Sequence, residues 1–248
     1  MTQAGPKGWD VIADEYDLAI CEGEDSLRHD VLLPAVLDAL GDVGGLSVLD
    51  AGCGPGILLP LLAKQGPRHL LGIDSSERML AHASRRIGPY VKLEHACLET
   101  QTLERSAFDV VACVMVLHVL QDISAAVRNL SASLALGGRL VVAIPHPCFH
   151  FEQAYVTRWA DVDGGATTPI PPPVDSYFAE HAIENALGAS RLVAKIVHRP
   201  IQAYVQMLLQ AGLTLTGCWE PRATVISRTG HLWSRVPAFF ILRGERHP

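Results

Sequence analysis

Short apolar runs alternate with amphipathic segments through the middle of the chain. The apolar runs predict five strands, at residues 46–50, 69–73, 90–94, 109–114 and 139–144. Three of the intervening segments have apolar residues at helical spacing and predict helices, at residues 57–64, 76–86 and 123–135. This alternation predicts an α/β fold, a Rossmann-like, doubly wound and mostly parallel sheet with right-handed crossovers.

The segments before this region predict two further helices. Residues 9–17 place Trp9 and Tyr16 at helical spacing, and residues 27–40 form an amphipathic segment that ends at Gly41. Residues 1–8 predict a frayed tail. The aromatic residues of the first helix either pack in a core or cover a ligand, and the spacing alone leaves both open.

The pattern changes after the fifth predicted strand. Residues 145–188 are rich in proline, aromatic and polar residues and have weak periodicity, which predicts a loop-rich lid of about 40 residues. Residues 200–211 then predict a helix that ends at Gly212. Two strands follow, at residues 213–219 and 238–243.

The most informative segment joins the first predicted strand to the helix after it. Residues 48–56 have the sequence VLDAGCGPG, an apolar run that ends in an acid and opens into three alternating glycines. These glycines remove Cβ atoms from a tight turn, so a ligand can lie against the backbone. The amides at the start of the following helix would face that ligand.

The spacing of this turn favours a particular kind of cofactor. A dinucleotide fingerprint needs glycine at position 57, where Ile57 stands instead. Asp50, two residues before Gly52, would repel a phosphate and attract an ammonium group. Asp74 ends the second predicted strand, where a βαβ unit places a carboxylate that accepts both hydroxyls of a ribose. The pattern favours a nucleoside with an amine and no phosphate.

Asp50, the glycine spacing and Asp74 together resemble motifs I and II of the class I S-adenosylmethionine (SAM)-dependent methyltransferases, in particular the small-molecule enzymes of types 11 and 12. Residues 108–120 are similar to the family's fourth strand and the turn after it. Residues 136–142 are similar to its L-x-P-G-G-x-L motif, with Leu136 in place of proline. The resemblance implies a seven-stranded sheet with an antiparallel last strand, a lid after strand five, SAM as cofactor and S-adenosylhomocysteine as product.

The resemblance also implies which parts of the chain hold the cofactor. We expect a single domain with a helical cap at 1–45, a cofactor-binding core at 46–144, an acceptor lid at 145–190 and a C-terminal helix with a strand pair at 191–248. The implied cofactor contacts are Tyr16, Asp50, Gly52, Cys53, Gly54, Gly56, Asp74, Ser75, Met79, Cys97, Leu98 and Val114. The sequence departs from the family at Ala96-Cys97-Leu98, where an acid is usual, so the carboxylate for the adenine is missing or comes from Glu99.

Composition and charge narrow the choice of partners. With 248 residues and 49% hydrophobic content, the chain can bury one large core. A net charge of -6 and a pI near 6.0 argue against a nucleic-acid partner, so we expect a small-molecule acceptor. Six scattered cysteines without a C-x-x-C pair indicate reduced thiols and a cytoplasmic protein. No apolar run reaches 18 residues, so we expect no membrane span.

Two histidines are candidates for the catalytic base and for contacts to the acceptor. Methyl transfer needs an aligned nucleophile and removal of its proton, and imidazole titrates near neutral pH. His118 follows the fourth strand, and His146 lies between two prolines after the fifth. Either side chain could instead only shape the pocket. Trp9, Tyr177 and Phe178 are further candidates for contacts to a planar acceptor.

Other activities and partners stay open at this level. The chain has 11 histidines but no H-E-x-x-H motif, and we expect no metal. We expect O- or C-methylation in secondary metabolite biosynthesis. The alternatives are a tRNA-modifying methyltransferase, a SAM-binding enzyme that does not methylate and, less favoured, an NAD-dependent oxidoreductase. A lid with apolar residues could also pack against a second copy in a homodimer.

Overall fold

The structure, a computed structural model, describes residues 6–22, 27–88, 91–149, 177–186, 193–223 and 236–247. The strands in these ranges are β1 (Ser47–Ala51), β2 (His69–Asp74), β3 (Lys92–His95), β4 (Phe108–Val114), β5 (Leu134–Pro145), β6 (His181–Ala186), β7 (Val193–His198), β8 (Leu213–Trp219) and β9 (Phe239–Arg246). The α-helices are α1 (Pro6–Asp17), α2 (Leu33–Leu40), α3 (Leu59–Ala63), α4 (Glu77–Arg86), α5 (Ile123–Ser133) and α6 (Ile201–Gln210).

Seven of the strands form one sheet in the order β3-β2-β1-β4-β5-β9-β8. The pairs from β3 to β5 are parallel, and β9 is antiparallel to both of its neighbours. Within this sheet β9 is therefore the one strand that runs against the rest. This confirms the predicted seven-stranded, mostly parallel sheet with an antiparallel last strand.

The sheet is buried on both faces, as its continuous apolar strands require. On one face, Leu49 and Val111 pack with residues of α5 and α6, among them the fully buried Tyr204. On the other face, Val48 and Val110 pack with residues of α2 and α3. Alternate residues of β1 and β4 thus point to opposite layers, and the ligand edge lies where these central strands end.

Two prolines make the helices differ from their predicted bounds. The helix predicted at 57–64 begins only at Leu59, because Pro60 lacks an amide hydrogen and is tolerated in a first turn. The helix predicted at 27–40 is a π-helical turn, Arg28–Leu32, followed by α2, whose first turn contains Pro34. Because Pro34 has no amide hydrogen to donate to the preceding turn, that turn is π-helical and therefore wider than an α-helical one. The predicted stop at Gly41 is present, with φ 67°.

The region after the fourth strand also differs from the prediction. β5 begins at Leu134, directly after α5, and pairs with Phe108 there before a register shift. β6 and β7 form an antiparallel hairpin that the sequence pattern does not predict. Residues 150–176, which include most of the predicted lid, lie outside the described residues.

Candidate functional site

A cavity lies at the carboxyl ends of β1, β2 and β4, the edge where open α/β sheets bind ligands. Residues from six separate parts of the chain form its wall. They are Trp9 and Tyr16 of α1; Arg28, Leu32 and Leu33; Asp50, Gly52 to Pro55, Ile57 and Leu58; Asp74, Ser75 and Met79; Ala96 to Glu99; and Val114 to Val116 with Val119 to Gln121.

The glycine turn is held by hydrogen bonds to the second strand. The amides of Gly52 and Cys53 both donate to the carbonyl oxygen of Ile73, at 2.8 and 2.9 Å. The amide of Gly54 donates to Oδ2 of Asp74 at 2.8 Å. Because these donors are used within the protein, the turn offers a ligand a smooth backbone surface without the row of free amides that binds a pyrophosphate.

Two of the three glycines are needed for close packing. A Cβ at Gly52, where φ is +77°, would lie 2.4 Å from Cγ2 of Val116. A Cβ at Gly56, where φ is +83°, would lie 2.9 Å from Cβ of Ala83 in α4. Gly56 does not belong to the cavity wall, so its position serves helix packing in this structure.

Asp50 is a buried acid at the base of the cavity. It is 2% exposed, and its Oδ2 has no hydrogen-bond partner among the described residues. Burial, together with the negative charge of Asp74, raises the pKa of the Asp50 carboxyl to about 7. A buried carboxylate oxygen without a donor is costly, so the site is suited to a ligand that brings a cation or an N–H group.

Asp74 is the second acid of the cavity, at the end of β2. Its Oδ1 accepts the amide of Ser76 at 2.9 Å, and its Oδ2 accepts the amide of Gly54. Burial raises the pKa of the Asp74 carboxyl, although these amide hydrogen bonds oppose the shift. Each carboxylate oxygen has a second lone pair, so the fixed carboxylate can also accept the hydroxyls of a ligand.

Helix α1 closes one side of the cavity and is attached to α4 by acidic side chains. Asp10 accepts the hydroxyl of Ser76 at 2.6 Å. Asp17 is buried and pairs with Nδ1 of His82 at 2.8 Å and with Arg86 at 2.7 Å. These contacts place the rings of Trp9 and Tyr16, 5.6 Å apart, on the cavity wall. Ser76 also caps α4, because its hydroxyl oxygen accepts the amide of Met79.

The loop after β4 contributes wall residues that sequence reasoning did not single out. Met115 has φ 59°, an unusual conformation for a residue with a long side chain, and its amide donates to the carbonyl oxygen of Ala143 at 2.7 Å. Oε1 of Glu99 accepts the amides of Gln121 and Asp122 at 3.0 and 2.7 Å. The carboxylate considered for the adenine therefore anchors this loop.

The two candidate bases do not belong to the wall of this cavity. His118 is buried in a 3-10 turn, Leu117–Val119, and directly precedes wall residue Val119 in the chain. His146 is buried, and its Nε2 lies 2.8 Å from Oε1 of Glu220. Its Nδ1 accepts the amide of Cys148 at 3.1 Å, so both ring nitrogens have protein partners. Burial lowers the pKa of His146, although Glu220 opposes the shift.

Two of the three aromatic candidates, Tyr177 and Phe178, lie beside the hairpin and not on the cavity wall. The hydroxyl of Tyr177 accepts the amide of Ile201 at 2.9 Å and so satisfies the first free amide of α6. Phe178 is 84% exposed. Among the predicted acceptor contacts, Trp9 alone lies on the wall.

Eleven of the twelve predicted cofactor contacts, all but Gly56, lie on the cavity wall, and other wall residues were not predicted. Arg28, Leu32 and Leu33 come from the π-helical turn Arg28–Leu32 and the first residue of α2, and no local motif marks them. In the part of the chain that the structure describes, no group of three or more His, Cys, Asp or Glu side chains could hold a metal ion. No helix of the described residues is both long and apolar enough to cross a membrane.

Comparisons with known proteins agree with this geometry. A family described as a methyltransferase domain matches residues 48–138. A Neisseria meningitidis protein named ubiquinone biosynthesis O-methyltransferase is 34% identical over 113 residues, which are 43% of this chain and 48% of that protein. The chain spans about half the length of the first curated relatives that it matches.

Two solved structures extend the likeness to most of the chain. A Listeria monocytogenes protein matches with a TM-score of 0.69 at 26% identity, and the match covers 87% of this chain and 97% of the Listeria chain. An S-adenosylmethionine dependent methyltransferase from Mesorhizobium loti has a TM-score of 0.67 at 24% identity, covering 86% and 96%. The second likeness shows the fold alone.

Proposed function

We propose that the chain, which has a methyltransferase-domain match at residues 48–138 and the fold of the class I SAM-dependent methyltransferases, binds SAM in this cavity and transfers a methyl group to a small-molecule acceptor. The observation that carries the proposal is the pair of acids beside a glycine turn whose amides are already used. Such a site suits an ammonium and a ribose, and it repels a pyrophosphate. This argues against the NAD-dependent alternative.

The cavity residues fit SAM group by group. Oδ2 of Asp50, which has no hydrogen-bond partner among the described residues, supports binding of the ammonium, and the fixed carboxylate of Asp74 supports binding of the ribose. Met79 and Leu98 provide apolar walls for the adenine. When bound, SAM supplies an electrophilic methyl carbon. The protein's part is then to orient the acceptor, exclude water and take up a proton.

We keep His118 as the proposed base and treat His146 as a positioning residue. His118 shares its turn with wall residue Val119, whereas the ring nitrogens of His146 are held by Glu220 and Cys148. The named activity of the Neisseria relative supports an oxygen acceptor, and the net charge of -6 disfavours a tRNA. We also propose that the reaction belongs to secondary metabolism and takes place in the cytoplasm. The homodimer stays a prediction, which a light-scattering measurement of the molar mass would test.

Calorimetry against SAM, S-adenosylhomocysteine, NAD and NADP tests the cofactor. We expect the two sulfur nucleosides to bind and the two dinucleotides to give no heat. Binding of a nicotinamide cofactor alone would reject the proposal.

The reaction is tested by incubating the protein and SAM with a panel of phenols and catechols and measuring the release of S-adenosylhomocysteine. His118→Ala should reduce turnover by about 10² to 10⁴ with the SAM affinity retained, as expected for loss of a general base. His146→Ala is the matched control with a smaller expected effect on turnover. If His118→Ala turns over at the wild-type rate, His118 has no part in catalysis. Rearrangement of an acceptor without methyl loss from SAM would favour the non-methylating alternative.

A further inference from the structure

The loop of residues 115–122, between β4 and α5, is held from two sides. It contributes five residues to the cavity wall and contains His118. On one side, Glu99 accepts two of its amides, those of Gln121 and Asp122. On the other side, its carbonyl groups face a buried arginine from the opposite half of the chain.

That arginine is Arg199, which follows β7 and is 3% exposed. Its Nη2 donates to the carbonyl oxygens of Leu120 and Gln121, at 2.9 and 3.0 Å. Its Nη1 donates to the carbonyl oxygen of Leu117 at 3.4 Å. The peptide group directly before His118 and the carbonyl groups of Leu120 and Gln121 are thereby fixed, and Gln121 is held through both its N–H and its C=O.

The same guanidinium belongs to the base of the β6–β7 hairpin. Its Nε pairs with Oε2 of Glu180 at 3.3 Å, directly before β6. Next to it, Nε2 of His198 lies 2.8 Å from the carbonyl oxygen of Tyr177. The hydroxyl of Tyr177 accepts the first amide of α6. The hairpin base and the loop of residues 115–122 thus meet at the Arg199 side chain, and Tyr177 links the hairpin base to the start of α6.

The chemistry of this contact requires an arginine. A guanidinium presents five N–H donors in a fixed plane, so it can reach three carbonyl oxygens and a carboxylate together. A lysine ammonium is a compact charge with three donors and does not span this set. Burial of the cation against neutral carbonyls and one half-exposed carboxylate is costly. A fold that needed only packing there would be served by an apolar residue.

We propose that Arg199 is a positioning residue that couples the β6–β7 hairpin to the cofactor cavity through the loop of residues 115–122. Binding in the cavity stabilises the loop, and the loop stabilises the hairpin base through the guanidinium. By thermodynamic reciprocity, a ligand that orders the hairpin also tightens the cavity. The inference rests on the proposed function only in its choice of S-adenosylhomocysteine as the probe.

Hydrogen exchange and calorimetry with S-adenosylhomocysteine test this coupling. In the wild-type protein, the ligand should slow amide exchange of residues 117–121 and also of residues 193–198. In Arg199→Gln, residues 117–121 should exchange faster without ligand, and the protection of residues 193–198 should be lost. The affinity should fall about tenfold, within the range typical of coupled sites. Arg199→Lys should recover part of the affinity.

Arg246→Gln is the matched control. Arg246 also donates to main-chain carbonyls, those of Ala132 and Leu134, but at the opposite edge of the sheet. The Arg246→Gln substitution should change neither the affinity for S-adenosylhomocysteine nor the amide exchange of residues 117–121. If Arg199→Gln does not fold, Arg199→Lys carries the same test.

The outcomes separate this inference from the proposed function. A wild-type protein that does not bind S-adenosylhomocysteine contradicts the proposed function. A folded Arg199 variant with wild-type affinity and unchanged exchange in both segments overturns the coupling alone. The coupling also fails if the ligand protects residues 117–121 but leaves residues 193–198 unaffected in the wild type.

Discussion

At the scale of single residues, we propose that the acid Asp50 selects the ligand of the cavity. Its Oδ2 has no hydrogen-bond partner in the described part of the chain, and the turn that shares the cavity wall has its own amides in use, so recognition would depend on charge more than on backbone donors. Proximity of Asp74 adds repulsion in the empty site. A cationic group relieves both the burial and the repulsion, which makes the protonation state of Asp50 part of ligand binding.

We predict that affinity for S-adenosylhomocysteine depends on pH through Asp50. Because the pKa of Asp50 in the empty site is about 7, an ammonium ligand must displace a proton below that pH. Affinity should rise by up to about tenfold per pH unit between pH 6 and 7 and then level off. Calorimetry at pH 6, 7 and 8 measures this.

Asp50→Asn should remove this dependence and weaken binding at pH 8 by about tenfold to a hundredfold, the usual effect of losing a hydrogen bond to a charged group. Asp38→Asn is the control. Asp38 lies on α2, where its carboxylate accepts the indole N–H of Trp219, and it does not lie on the cavity wall. A pH dependence that persists in Asp50→Asn would assign it to another group.

At the scale of elements, helix α1 is a wall of the cavity that side chains of α4 hold in place. Asp17 is the buried end of this contact, between His82 and Arg86. Arg86 also donates to the carbonyl oxygen of Pro55, so it joins α1 to the glycine turn. The position of α1 and the shape of the cavity therefore depend on each other.

Asp17→Asn should loosen α1 without unfolding the sheet. Amides of residues 8–17 should exchange faster, and affinity for S-adenosylhomocysteine should fall about tenfold because charged hydrogen bonds to His82 and Arg86 are lost. Glu15→Gln removes an exposed charge from the same helix and should leave both measurements unchanged. Equal affinities in the two variants would show that α1 contributes nothing to binding.

The elements also show where sequence reasoning succeeds. Strands β1, β2 and β4 are short apolar runs with a buried pattern, so local periodicity identified them. The glycine turn and its two acids form a contiguous or regularly spaced motif. The hairpin β6–β7 was missed because its segment has no clear alternation. Arg199 could not be assigned a role, since its partners are carbonyl groups about 80 residues away that leave no side-chain pattern.

At the scale of the whole molecule, the buried carboxyl group of Asp50 in the ligand site lowers the free energy of unfolding. Between pH 4 and 7 the unfolded chain releases the proton of Asp50, whereas the folded protein keeps it. Asp50 therefore reduces the stability of the empty protein as pH rises through this window, by at most about 1.4 kcal/mol per pH unit. Above the folded pKa, the reduction is complete.

Thermal unfolding of the empty protein at pH 5 and 8 tests this balance. Asp50→Asn should raise the Tm over wild type more at pH 8 than at pH 5, because asparagine does not titrate. His146 is unchanged in both proteins, so its contribution cancels in the difference. Saturating S-adenosylhomocysteine should raise the Tm of the wild type most. A Tm difference that is independent of pH would contradict the raised pKa.

The position of β9 has a consequence for how the chain is made. β8 precedes β9 in the sequence, yet it joins the sheet only through β9, which lies between it and β5. A ribosome that has released residues up to 219 has produced all parallel strands but no partner for β8. Until residues 239–246 emerge, β5 is an open edge of the nascent domain, which exposes it to pairing with other chains.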